Sequence, residues 1–111
     1  MLEIDTVYKK GILFVKMYGV INNKTKDKIE YVLESAINKV GIKYLFLNFD
    51  NVYYMDIDIS KIIEKWNIIV DKIGGKIFVC GNDMIKRPLI KFDGAVEYVN
   101  DEISAYNMVE I

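Results

Sequence analysis

The hydrophobic positions change period several times along the chain, and each change marks an element. Val7–Lys10 and Ile12–Tyr18 are β-rich runs separated by Gly11, which supplies the backbone freedom of a tight turn; they predict a hairpin suited to a sheet edge. From Thr25 the spacing becomes three and four, with Ile29, Val32, Leu33, Ala36, Ile37 and Val40 on one helical face, and Gly41 ends the run. Tyr44-Leu45-Phe46-Leu47 is almost continuously apolar, as a strand covered on both faces should be. A second helix carries Ile59, Ile62, Ile63, Trp66, Ile69, Val70 and Ile73 on one side and Lys61, Glu64, Lys65, Asp71 and Lys72 largely off it. Gly74-Gly75 stops it, either glycine being suited to a left-handed cap, and Lys76–Cys80 returns as a strand.

The segment from Tyr44 to Cys80 therefore reads as a β-α-β unit, which implies parallel strands and a right-handed crossover. Beyond it, Gly81-Asn82-Asp83 predicts a turn, and a short helix is expected either from Asp83 or nearer Pro88. Val96–Val99 predicts a short strand. Asn100-Asp101-Glu102 then offers a cap and two acids ahead of a last helix carrying Ile103, Tyr106 and Val109 inward. The whole predicts an α/β domain spanning 1–111, with a mixed sheet, an N-terminal edge hairpin and helices packed on the sheet.

Composition removes several classes of function. With no histidine and one cysteine, Cys80, the chain lacks the usual ligands for zinc, the commonest general base near neutral pH, and any internal disulfide. Cys80 falls in a strand expected to be buried rather than beside an activating base, so a hydrolase triad is not available and no enzymatic role is expected. A net charge of −1 with scattered lysines argues against a nucleic-acid footprint. The apolar stretches are too short for a membrane span, and the acidic start Met1-Leu2-Glu3-Ile4-Asp5 is unlike a signal peptide, so a cytoplasmic location and no membrane partner are expected.

Candidate chemistry concentrates where the first β-α-β strand meets its helix, Tyr54-Met55-Asp56-Ile57-Asp58-Ile59-Ser60. In open α/β sheets, ligands and partners gather outside the carboxyl ends of parallel strands, where helix N-termini present free N–H groups. Asp56 and Asp58 could form a magnesium site, since hard cations prefer oxygen ligands. The stronger reading is helix capping, with one aspartate as N-cap at about 1 kcal/mol and the second favoured by the helix dipole. No metal or cofactor is expected.

The run from Gly19 through Cys80 resembles the STAS domain family, typified by bacterial anti-sigma factor antagonists. Where that family has a Gly-Glu-Leu-Asp-like turn before its first helix, this chain has Gly19-Val20-Ile21-Asn22-Asn23-Lys24-Thr25. Where the family has Met-Asp-Ser-Ser-Gly-Leu, this chain has Met55-Asp56-Ile57-Asp58-Ile59-Ser60, and the spacing onward to Gly74-Gly75 and Cys80 matches without a gap.

The resemblance implies a STAS-like fold and a regulatory role exercised through protein–protein binding. Its implied partner is an anti-sigma factor with serine kinase activity, or another STAS-interacting regulator. It also places the family's phosphorylated serine at Ile57, which has no hydroxyl, the second serine at Asp58 and the glycine at Ile59. Asp58 is at best a partial mimic, one carboxylate carrying about −1 against the −1.5 to −2 of a phosphate. Ser60 is an alternative acceptor displaced along the helix. The simplest reading is a binding module that has lost the switch, with Asn22, Asn23, Asp56, Ile57, Asp58 and Ser60 as partner-binding candidates. An adaptor STAS module in a larger signalling assembly is one alternative, and a small metal-dependent phosphate-transfer enzyme using Asp56 and Asp58 is another. Ile57 could equally join the core or stand exposed, and Asn22 and Asn23 could be turn formers or contacts.

Overall fold

The computed structural model describes residues 1–81 and 96–109. Its elements follow in the order β1 (Leu2–Lys9), β2 (Ile12–Ile21), α1 (Lys26–Glu34) continued by a π-helical turn (Ser35–Val40), β3 (Tyr44–Met55), α2 (Ser60–Asp71), β4 (Lys76–Cys80), β5 (Glu97–Tyr98) and α3 (Glu102–Met108). The strands form one mixed sheet in the order β1-β2-β3-β4-β5. Only β1 and β2 are antiparallel; the pairs β2/β3, β3/β4 and β4/β5 are parallel. The expected turn at Asn82-Asp83 and the helix near Pro88 lie outside the described residues.

The hairpin is longer than the β-rich runs indicate. Lys10 is in the turn rather than in β1: Lys10 and Gly11 both take positive φ, 53° and 81°, the conformation of a two-residue type I′ turn. The strand instead begins at Leu2, because Leu2 and Ile4 alternate with Glu3 and Asp5 and sit on the core side. β1 is an edge, whereas β2 is interior, which agrees with its run of buried residues Ile12 to Val15.

Both faces of the central strands are covered, as the apolar run in β3 requires. On one face Leu45, Leu47 and Phe49 join Val15, Met17, Ile77 and Val79 beneath Ile29 and Leu33 of α1 and Ile63, Trp66 and Val70 of α2. On the other, Phe46 and Cys80 lie in a smaller cluster with Ile12, Phe14 and Phe78, closed by Ala105, Val109 and the half-buried Tyr106. Asp101 caps α3 by accepting from the Ser104 N–H at 2.8 Å, and this bond holds its carboxyl below the usual range.

Three residues expected inward are exposed, each for a geometric reason. Val40, 71% exposed, ends the π-helical turn, whose wider hydrogen-bonding pattern shifts its residues off the 3.6-residue face. Ile73 lies past the end of α2, and Ile103 stands in the first turn of the short α3, where Ala105 makes the buried contact. Conversely, Asn67 of α2 is buried, its Oδ1 accepting from the Ile77 N–H at 3.1 Å and so tying the helix to the start of β4.

Candidate functional site

Two loops leave the sheet side by side. β2 and β3 are parallel and pair Ile21 with Met55 at their carboxyl ends, so the turn 22–25 into α1 adjoins the turn 56–59 into α2. The Asp56 N–H donates to the Ile21 carbonyl at 3.2 Å and joins the two turns directly. This register brings all six candidate residues to one edge of the molecule.

The first turn is built by a reciprocal pair. Asn22 Oδ1 accepts from the N–H groups of Lys24 (2.9 Å) and Thr25 (3.1 Å), while the Asn22 N–H donates to Thr25 Oγ1 at 2.9 Å. Thr25 is buried, and its hydroxyl donates in turn to the Val20 carbonyl at 2.9 Å. The arrangement resembles a capping box, with each residue satisfying the other's free groups. Asn22 is therefore a turn former, and Asn23, beside it, is the exposed one. Thr25→Val keeps the shape of the side chain but leaves the Asn22 N–H unpaired. Urea unfolding should show a loss of about 1–3 kcal/mol.

The second turn corrects the capping expectation. β3 runs on to Met55 and α2 starts only at Ser60, so Asp56 is too far from the helix to cap it, and Ile59 occupies the N-cap position with no side-chain bond. Asp58 makes the local contact instead, its Oδ1 accepting from the Ser60 N–H at 2.9 Å. Asp56 and Asp58 are both exposed, and Ser60 is half-buried. Ile57 does both things the sequence left open: it is half-buried, packing against the main core while part of its surface meets solvent. Ile59, in contrast, is buried in that core.

The arrangement offers little to covalent chemistry. Among the described residues no three His, Cys, Asp or Glu side chains come together as a metal site. Cys80 is buried, and its thiol is pushed up to about 12 by burial and by the negative charge of Asp50, whose Oδ2 it approaches at 3.9 Å. At neutral pH it is a protonated core side chain.

Comparison with known proteins was informative through whole-chain likeness. No protein-family model matches the sequence. It is 23% identical over 114 residues to an anti-sigma F factor antagonist of Paenibacillus polymyxa, covering 99% of this chain and 97% of that protein. The fold is similar to that of an anti-sigma factor antagonist from Mycobacterium paratuberculosis, with a TM-score of 0.83 at 17% identity over 98% of this chain and 94% of that one. It is likewise similar to the Bacillus antagonist SpoIIAA, over 98% of this chain and 100% of that one. Against its unphosphorylated form the TM-score is 0.76 at 11% identity, and against its phosphorylated form 0.73 at 12%. The chain has the SpoIIAA-like fold of these antagonists.

Within this fold, two kinds of residue near the site were not legible in the sequence reading. Thr25 looked like the first residue of a helix, although its position three after Asn22 is a capping-box spacing. Tyr53 and Tyr54 end β3 just before the second turn, and both are exposed, by 73% and 52%. The signal for them in the sequence was their adjacency. Two adjacent large residues at the end of a strand cannot both face the core, because successive side chains alternate sides.

Proposed function

We propose that this chain is a STAS-domain anti-sigma factor antagonist that binds its anti-sigma factor through the joined turns 22–25 and 56–60, without a phosphoserine switch. The reading is carried by one observation, the half-exposed Ile57 at the joined turns, taken with the motif resemblance that sets it where the family carries its phosphorylated serine, in a chain similar to an antagonist over its whole length. The exposed flank of Ile57 is an apolar anchor. Asn23, Asp56 and Asp58 supply a polar rim, and Tyr53 and Tyr54 extend the surface with the residue type most enriched in interfaces. Asp58 lends a fixed negative charge at the start of α2, and Ser60, with its N–H held by Asp58, contacts the partner as part of the same turn.

The test uses the cognate anti-sigma factor. Ile57→Lys should weaken binding about three- to tenfold, since fully burying an isoleucine contributes about 1.5–3 kcal/mol, roughly half of that remains for the half-buried Ile57, and 1.4 kcal/mol is a factor of ten. Circular dichroism should show the variant still folded. Incubating the wild type with ATP and the anti-sigma factor kinase should leave its intact mass unchanged while the complex still forms. A phosphate on Ser60 would overturn the loss of the switch, and undiminished binding by Ile57→Lys would overturn the surface.

A further inference from the structure

The outer edge of β1 is unpaired among the described residues, at the end of the sheet opposite β5. Natural edges of this length are usually blunted by a proline, a bulge or a covering element. β1 has no proline, and its register with β2 runs from Leu2 to Lys9 without a bulge. Among the described residues a side chain covers it at one end, where Lys28 Nζ donates to the Leu2 carbonyl at 2.9 Å. Since Lys9 and Ile12 close the type I′ turn, the odd-numbered residues of β1 exchange hydrogen bonds with β2, and Ile4, Thr6 and Tyr8 present theirs outward.

We infer that β1 pairs with β1 of a second copy, antiparallel and centred on Thr6, to join two sheets into one. The strand is complementary to itself in that register. Thr6 meets Thr6 of the second copy and Ile4 meets Tyr8 in hydrogen-bonded pairs, and Glu3 meets Lys9 at both ends in the non-hydrogen-bonded pairs where side chains approach most closely. Other centres are worse. One on Ile4 sets Glu3 against Asp5, one on Asp5 sets Asp5 against itself, and one on Val7 shortens the paired span to Asp5–Lys9.

Exposed apolar surface lies along the same edge. Val7, Tyr8 and Tyr31 are 55%, 60% and 64% exposed, and all lie beside this edge. A groove of about 390 Å³ runs between β1 and α1, lined by Leu2, Ile4, Lys28, Tyr31 and Val32 among others. Tyr8 is on the same face of the sheet as Leu2 and Ile4, by strand alternation. Set opposite Ile4, Tyr8 of the second copy enters that groove against Tyr31. A strand from an unrelated protein would have no reason to match both the charge order and the aromatic placement of β1.

Sedimentation equilibrium from roughly 1 µM to 1 mM is the measurement. The wild type should show a concentration-dependent rise toward twice the monomer mass. Thr6→Pro removes an outward N–H without touching the β1/β2 bonds, and should sediment as a folded monomer. Lys9→Glu should raise the dissociation constant about tenfold by turning both end pairs repulsive, and adding Glu3→Lys should restore it. Lys9 also lies 5.3 Å from the Phe14 ring, so thermal unfolding of each variant separates a folding defect from an interface defect. A wild type that remains monomeric at the highest concentration, or a dimer that survives Thr6→Pro, overturns the proposal. Failure of the double variant to recover overturns the Glu3–Lys9 register.

Discussion

Phe46→Ala should lower the unfolding free energy by about 3–5 kcal/mol, the range for removing a fully buried aromatic ring. Phe46 has no exposed surface and stands in the middle of the sheet, where the register aligns it with Phe14 on β2 and Phe78 on β4. The three phenylalanines form a row beneath α3, with the Phe14 and Phe46 rings 5.5 Å apart and tilted by 43°, and Phe14 in turn 5.3 Å from Tyr106. Removing the middle ring takes the contacts from both neighbours at once, and the strands, hydrogen-bonded on each side, cannot collapse into the space. The cost should lie toward the upper end of the range. Calorimetry should show a fall in melting temperature of roughly 15 °C or more. Urea titration should show a lower midpoint with an unchanged slope, because the surface exposed on unfolding is nearly the same.

The β-α-β unit was the most legible part of the chain because its signals agree. Tyr44 to Leu47 is apolar at every position and is buried on both faces, and α2 shows its inward face at Ile59, Ile63, Trp66 and Val70. Boundaries were harder where strands carry polar residues. β3 continues through Asn48, Asp50 and Asn51, which resemble a loop in sequence but are held in the sheet by pairing with β2. That extension moved the helix start to Ser60, so neither aspartate is its N-cap, and Asp58 instead holds the Ser60 N–H. Local propensity could not show it, since the deciding interactions come from residues some thirty positions away.

The site divides along the same line. That Asn22, Asn23, Asp56, Ile57, Asp58 and Ser60 should share a surface followed from the resemblance, and the parallel pairing of Ile21 with Met55 supplies the physical reason they do. What each side chain does was decided by hydrogen bonds that sequence does not carry. Asn22 and Thr25 spend their polar groups on each other, and Asp58 has one oxygen on the Ser60 N–H, whereas Asn23 and Asp56 stand exposed. A partner would therefore meet a preformed turn, with little ordering required of it on binding.

Gly75→Ala should destabilise the fold by about 3 kcal/mol, more than Gly74→Ala beside it, although sequence alone treats the two glycines as interchangeable ends of α2. Gly74 adopts φ of 79° with open space where a Cβ would be, so alanine there meets only the left-handed backbone penalty of about 1–2 kcal/mol. Gly75 has ordinary backbone geometry, yet a Cβ would lie 2.0 Å from the Lys43 carbonyl oxygen and 2.7 Å from both its carbon and its Cβ. That carbonyl accepts from the Lys76 N–H at 2.8 Å, the bond that starts the β3/β4 ladder. Alanine at Gly75 must push β4 away from β3, adding about 1–3 kcal/mol of overpacking to about 1 kcal/mol for the weakened bond. Urea unfolding of the two single variants measures the difference directly, and equal losses would show that the contact with the Lys43 carbonyl costs no more than the left-handed backbone at Gly74. The clash lies at the amino end of β3 and the proposed binding surface at its carboxyl end. Below its melting temperature, the Gly75→Ala protein should therefore retain whatever affinity the wild type shows for the proposed anti-sigma factor partner.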